Sequence, residues 1–348
     1  FEVNQAIYLS LQNKSQELAI IKASTVGSAR ILDAAVVFPK RQSPQKILIL
    51  IIFSFFGFLV GVFYVMTQSI LNRGVSNPKE FENVGFNIYA TIPSSDVQLT
   101  FDRKKKEAKS PKQLDLTDTE MLLALDNPAD LSVEALRSLR TSLHFGVSAA
   151  KNNIVMISSG IPEVGKSFIT ANVGVVLAQS GQSVLVIDAD LRRGHLHKRY
   201  AQKVSPGLSE YLKGDKSSES LIVKTTIENL DFIPRGSVPP NPSELLMSPL
   251  FKDFLDKVSA NYDIVLIDTP PILAVTDAAI VGSHSGVSLL VAWFDKSTVK
   301  ELLASADRFN TSGIEIDGLV FNGVEFKTSS YYGGYGYYNY SYKSNENP

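Results

Sequence analysis

The chain has 348 residues, more than one ordinary small domain needs, so two or more units are expected. Its 34 Lys and Arg balance 35 Asp and Glu, and a net charge of -1 excludes a globally basic, nucleic-acid-coating protein. A hydrophobic fraction of 44% excludes wholesale disorder, and the lack of cysteine excludes disulfide frameworks, thiolate zinc sites and cysteine nucleophiles.

The chain begins at Phe1 rather than Met, which marks a piece of a longer protein or a processed one. Ile7, Leu11, Leu18 and Ile21 recur at helical spacing with polar residues between them. They predict an amphipathic or coiled-coil helix ending near Gly27, followed by an extended stretch, SARILDAAVVFPKRQSPQ. Residues 47–66, ILILIIFSFFGFLVGVFYVM, are twenty positions without a charge. At about 1.5 Å per residue such a helix spans roughly 30 Å, the thickness of a bilayer core, so a transmembrane helix is expected there. Gly57 and Gly61 add a small-residue pair suited to helix–helix approach.

Arg30, Lys40, Arg41 and Lys46 precede the span, against Arg73 and Lys79 after it. Counted alone, these charges put the N-terminal side in the cytoplasm. The nucleotide chemistry further along needs ATP on the C-terminal side, and it takes precedence. Residues 67–115 are expected to form a cytoplasmic juxtamembrane linker. Its cationic cluster, Arg103 to Lys106, suits either bulk solvent or anionic lipid headgroups. From about Thr117 apolar strands alternate with helical patterns, the signature of a parallel α/β sheet flanked by helices.

The chemistry sits in NIVMISSGIPEVGKSFITANVGVVLAQSG. An apolar strand from Ile154 to Ile157 feeds Gly160, Ile161, Pro162, Glu163, Val164, Gly165, Lys166, Ser167 and Phe168, the run expected to bind the nucleotide, and an apolar-periodic helix follows. This is a P-loop in its proper context, a phosphate-binding loop of the NTPase type. Its glycines let backbone N–H groups face the phosphates at the positive end of a helix. Lys166 reaches the β and γ phosphates of ATP, and the Ser167 hydroxyl is a ligand for Mg²⁺. Two more apolar strands end in carboxylates: VLVIDADLRRG supplies Asp188 and Asp190, and YDIVLIDTPP supplies Asp268. At the C-terminal ends of parallel strands they converge on the crevice that holds the loop. Metal binding and proton handling follow from three acids there. The chain ends with seven of its thirteen tyrosines, Tyr331, Tyr332, Tyr335, Tyr337, Tyr338, Tyr340 and Tyr342, spaced by Gly, Asn and Ser. No period buries them, so they are expected as exposed phosphoacceptors, with an adhesive tail as the other reading.

The P-loop, the IDAD-L-R-R-G segment and the VLIDTPP segment resemble the Walker A, A′ and B motifs of bacterial tyrosine kinases of the polysaccharide co-polymerase type. IPRGSVPPNPSELLMSP and DTPPILAVTDAAIVG are especially similar to that family, and the resemblance covers essentially the whole chain. A ParA/MinD-type assembly ATPase is the alternative. Those proteins carry a lysine where this chain has Ile161, and they lack the second A′ aspartate and the tyrosine tail.

The resemblance implies an ATP- and Mg²⁺-dependent autokinase of its own tail, acting in trans, that regulates polymerisation and export of capsular or extracellular polysaccharide. It makes Asp190 the base for the phenol, with Asp188 and Asp268 holding the metal together with Ser167. Glu134, Arg137 and Arg140 match a motif implicated in closing a homo-oligomeric ring, an octamer being one size. Asn322 is matched to an adenine contact in related P-loop folds. Arg235 matches an arginine that binds an internal phosphotyrosine, but His195 stands where that tyrosine would be.

The implied partners are a low-molecular-weight tyrosine phosphatase, an outer-membrane polysaccharide export protein, a polymerase and membrane lipid, with no nucleic acid. The organisation then reads as the end of a periplasmic domain (1–46), a transmembrane helix (47–66), the linker (67–115), a kinase domain (116–327) and a tyrosine tail (328–348), in a bacterial inner membrane.

Overall fold

The computed structural model describes residues 2–24, 45–71, 74–107, 120–215 and 221–325. The stretch 25–44, the later linker from 108 on and the tyrosines Tyr331 to Tyr342 lie outside the described residues. The chain divides into two units, Phe1–Gln68 and Ser69–Pro348.

The first unit is helical, with helices Glu2–Ser24 and Lys46–Leu71, the second running on past the boundary. Lys46–Thr67 is long and apolar enough to cross a membrane. Every large apolar side chain from Ile47 to Met66 is exposed. An apolar surface that continuous is not held against water and suits lipid.

The second unit is built on an eight-stranded sheet in the order β1-β8-β7-β2-β6-β3-β5-β4. The strands are β1 (Ile88–Pro93), β2 (Ile154–Ser159), β3 (Val184–Asp188), β4 (Val223–Lys224), β5 (Leu230–Ile233), β6 (Ile264–Asp268), β7 (Val287–Trp293) and β8 (Gly318–Val324). All neighbours pair in parallel except β4 with β5. The central strands read as unbroken apolar runs because both of their faces are covered. Val155 and Ile157 of β2 point into one core, with Leu136, Leu139 and Leu143 of helix Leu131–Ala149. Ile154 and Met156 point into the other, with Phe251, Phe254 and Phe309. Strands β3 and β6 divide in the same way, with Val186 and Leu266 on the first face and Ile187 and Ile267 on the second.

The sheet begins earlier in the chain than residue 116. Strand β1, drawn from the expected linker, pairs with β8 from Ile88↔Leu319 to Ile92↔Asn322. Val75 and Phe81 are buried, and the Phe81 ring meets Phe321 edge-on at 5.3 Å. Residues 74–107 are therefore largely part of the folded unit rather than a tether. Strand β1 is short, sits at a sheet edge and has its partner at the far end of the unit, so no local pattern announces it. Arg103 and Lys104 of the cationic cluster are exposed on helix Asp96–Glu107.

Candidate active site

Strand β2 lies between β6 and β7 and delivers the loop Gly160–Gly165 to the C-terminal edge of the sheet, where helix Lys166–Gln179 begins. Gly165 caps that helix with φ 82°, and a Cβ there would run into the Asn322 amide. Only glycine meets both conditions. Glu163 also takes a left-handed backbone, φ 58°, and its carbonyl accepts a hydrogen bond from Lys296 Nζ at 2.9 Å. Val164 is fully buried, so its backbone alone is available to a nucleotide. The Phe168 ring lies under the Arg199 guanidinium, 5.6 Å away. Asn322 is buried at the edge of the loop and donates from Nδ2 to the Val164 carbonyl at 3.2 Å, which braces the loop from beneath.

The loop geometry carries a direct test. Gly165→Ala forces a side chain into the left-handed region, at about 1–2 kcal/mol before the collision with Asn322 is counted. Nucleotide affinity is expected to fall about tenfold or more, since 1.4 kcal/mol is a factor of ten. Titration with a fluorescent nucleotide measures it, and parental affinity would show that the loop tolerates the strain.

The three carboxylates do meet at this edge. Asp188 and Asp268 are register partners at the ends of β3 and β6. Ser167 Oγ donates to Asp268 Oδ2 at 2.6 Å, and Thr170 Oγ1 lies 3.5 Å from the other oxygen. Asp188 Oδ2 accepts from the Leu196 amide at 3.1 Å, while its Oδ1 is buried without a protein partner. Gly194 packs so tightly on this carboxylate that a Cβ there would overlap it. Asp190, almost buried, accepts at Oδ1 from the amides of Arg193 at 2.9 Å and Arg192 at 3.2 Å. Lys166 is 9% exposed beneath the loop.

Burial first, then the charges of Asp268 and Asp190, drive the Asp188 carboxyl well above its usual range. Burial raises Asp268 as well, against the pull of Lys166 and the Ser167 hydrogen bond. Clustered, buried, like-charged oxygens with one acceptor left unpartnered call for a cation. They fit Mg²⁺, which takes oxygen ligands and draws much of its shell from water and substrate phosphates. Among the described residues no group of three or more His, Cys, Asp or Glu is placed to hold a metal ion by itself.

Glu134, Arg137 and Arg140 all lie on helix Leu131–Ala149. Arg137 ion-pairs with Glu134 and donates to the Pro128 carbonyl at 3.2 Å. Arg235 donates to the carbonyls of Gly194 at 2.7 Å and Gly236 at 2.9 Å, so it ties the loop after Asp190 to the loop after β5. Sequence reasoning assigned no role to Lys296, Thr170 or Asp277. Thr170 follows Lys166 by one helical turn, a spacing that signals a shared face. Lys296 and Asp277 reach the site only through tertiary packing.

Residues 1–70 match the family model described as a G-rich domain on putative tyrosine kinase, and residues 153–292 match that of an AAA domain. The chain is 44% identical over 343 residues to the tyrosine-protein kinase wzc of Salmonella typhimurium, covering 99% of this chain and 47% of that protein. It is 44% identical over 332 residues to the tyrosine-protein kinase etk of Escherichia coli strain K12, covering 95% and 46%. The chain thus spans about half the length of the curated relatives it matches. Among solved structures, the kinase domain of Escherichia coli tyrosine kinase ETK superposes with a TM-score of 0.66 at 44% identity, covering 75% of this chain and all of that one. The BceF tyrosine kinase domain gives 0.67 at 40% identity, covering 72% and 100%. With two kinase domains matched over their full length at this identity, the chain belongs to the Wzc/Etk-type bacterial tyrosine kinase family.

Proposed function

We propose that the chain is a membrane-anchored, ATP-dependent protein-tyrosine autokinase that phosphorylates its own tyrosine cluster in trans within a homo-oligomeric ring. The observation that carries the reading is the buried acidic group around Ser167, at the start of the helix that the P-loop lysine opens. The loop amides and Lys166 bind and orient the β and γ phosphates. Ser167, Asp188 and Asp268 would hold Mg²⁺, which when bound would neutralise phosphate charge. Asp190 accepts the phenol proton as the tyrosine oxygen bonds to the γ-phosphorus and the bond to ADP breaks. A phenol with a pKa near 10 needs such a base. Positioning and charge neutralisation supply the rest of the catalysis.

The kinship with wzc and etk supports a role in polymerisation and export of capsular or extracellular polysaccharide. We place the catalytic unit in the cytoplasm and residues 1–46 in the periplasm of a bacterial inner membrane. The proposed partners are a low-molecular-weight tyrosine phosphatase, an outer-membrane export protein and a polymerase. Mass spectrometry of the purified chain, with and without phosphatase treatment, tests the reading. Phosphate on Tyr331 to Tyr342 is expected, and its absence after incubation with Mg²⁺ and ATP would leave a non-kinase assembly ATPase instead.

The ring has its own test. Changing Glu134, Arg137 and Arg140 together to Ala deletes a charge-complementary face without touching the nucleotide site. Oligomer mass should fall, and tail labelling should fall with it, most at low protein concentration. Unchanged size-exclusion and labelling profiles would return these residues to ordinary surface.

A further inference from the structure

Three stretches that carry the family likeness, IDADLRRG, PPNPSELL and TPPILAVTDAAIVG, meet around Asp277. Asp277 opens helix Asp277–His284 and is fully buried. A first-turn aspartate ordinarily faces water and complements the helix dipole. This one turns onto Arg192 instead. Arg192 Nε donates to Asp277 Oδ2 at 2.9 Å and Nη2 to Oδ1 at 3.3 Å. Such a two-pronged contact fixes the orientation of a guanidinium as well as its distance. Ser243, in helix Pro242–Leu246, closes the circuit: it accepts from Nη2 at 3.1 Å and donates to Asp277 Oδ1 at 2.6 Å.

Arg192 lies two residues beyond Asp190, in a turn with no strand or helix of its own. That turn curls over the Asp190 carboxylate. The amides of Arg192 and Arg193 both donate to Oδ1, and the Gly194 amide donates to the Asp190 carbonyl at 2.7 Å. Oδ2 of Asp190 has no protein hydrogen bond among the described residues. The Arg193 side chain is exposed, so two side chains anchor this turn: Arg192 through its ion pair to Asp277 next to Asp190, and Arg235 through the Gly194 carbonyl at the far end.

We propose that Asp277, with Ser243, is a positioning residue that acts through Arg192 to hold the Asp190 carboxylate in line for phosphoryl transfer. The proposal rests on the kinase reading above. It assigns one task to three segments whose spacing in the chain gives no reason for them to be linked. The ion pair is also lopsided: the Arg192 side chain is 39% exposed and that of Asp277 is 0%. Removing Arg192 therefore strands a buried charge, while removing both groups does not. That asymmetry separates positioning from simple stabilisation.

The test uses the full chain as Arg192→Ala, Asp277→Asn and the double variant. Melting temperature, affinity for a fluorescent ATP analogue with Mg²⁺, and the initial rate of tail labelling at saturating ATP are measured for each. Both single variants should label about 10- to 100-fold more slowly, the penalty of a catalytic group displaced by roughly an ångström. Nucleotide affinity should stay within about twofold, because no phosphate contact is lost. The double variant should recover melting temperature relative to Arg192→Ala, yet label no faster than the slower single variant. Guanidinium at millimolar concentration should speed Arg192→Ala and leave the double variant unmoved. Parental labelling by Arg192→Ala, or a labelling rate that recovers with stability in the double variant, would overturn the proposal alone. A parental chain that binds nucleotide yet labels no tyrosine would overturn the kinase reading and the proposal with it.

Discussion

Lys166→Met is expected to abolish tail phosphotyrosine while leaving the chain folded. The lysine is 9% exposed, at the start of a helix whose other early residues are packed or hydrogen-bonded. Methionine fills nearly the same volume with an unbranched side chain, so the helix start and the loop backbone keep their places. What disappears is the buried lysine cation that begins the helix after the loop. Its charge opposes the upward push of burial on Asp268, so its loss leaves the carboxylates less compensated as well as the phosphates less well bound. Loss of a single charge-stabilising donor typically slows a reaction about 10²- to 10³-fold. Labelling should therefore fall below detection in a gel assay, with the helical signal retained. Normal labelling by this variant would mean that the transferred phosphoryl group is bound elsewhere.

The nucleotide site was legible from sequence because each of its parts is local. Gly160 to Ser167 is one turn between one strand and one helix, and the acids Asp188 and Asp268 each end an apolar run. Parallel pairing then does the assembly: once β3 and β6 lie side by side, Asp188 and Asp268 must be neighbours. The candidate membrane helix was legible for the same reason, as an uninterrupted run of twenty residues found within helix Lys46–Leu71. Strand β1 was not. Six residues at a sheet edge, half-buried and paired with β8, resemble any short apolar stretch until the partner is known. The contact of Lys296 with the Glu163 carbonyl and the circuit of Arg192, Ser243 and Asp277 were hidden in the same way. A lysine in a polar turn and an aspartate at a helix start have ordinary local explanations, and only the fold shows that each faces the loop or its neighbour. Asn322, matched from sequence to an adenine contact at the end of a strand, lies inside strand Gly318–Val324. The structure commits its amide nitrogen to the loop carbonyl of Val164.

The carboxylates also set a stability balance that Asp268→Asn should tip. In the folded chain burial and the charges of neighbouring acids raise Asp188 and Asp268 above the ordinary aspartate value of about 3.9 that they regain on unfolding. Between those values the folded chain binds more protons than the unfolded one, so its stability falls as pH rises through that window. Below the unfolded value the penalty is absent, and above the folded values it is complete. Without nucleotide, the parental chain should thus lose melting temperature from pH 5 to pH 8. The substituted amide would keep an acceptor for the Ser167 hydroxyl and offer Asp188 a neutral neighbour in place of a like charge. The variant should melt higher than the parent at pH 8, by about 2–4 °C for each kcal/mol of repulsion relieved. With Mg²⁺ and ATP the order should reverse. A ligand at a hundred times its dissociation constant stabilises the parent by about 2.7 kcal/mol, and the variant has lost an acid that holds the cation. Its tail labelling should fall about 10²- to 10³-fold despite the firmer fold. Thermal melts of both chains at pH 5 and pH 8, with and without Mg²⁺ and nucleotide, decide the matter. A nucleotide-free variant that melts below its parent at pH 8 would show that the acids are already compensated in the empty site, and the metal would then have no unmet charge to answer.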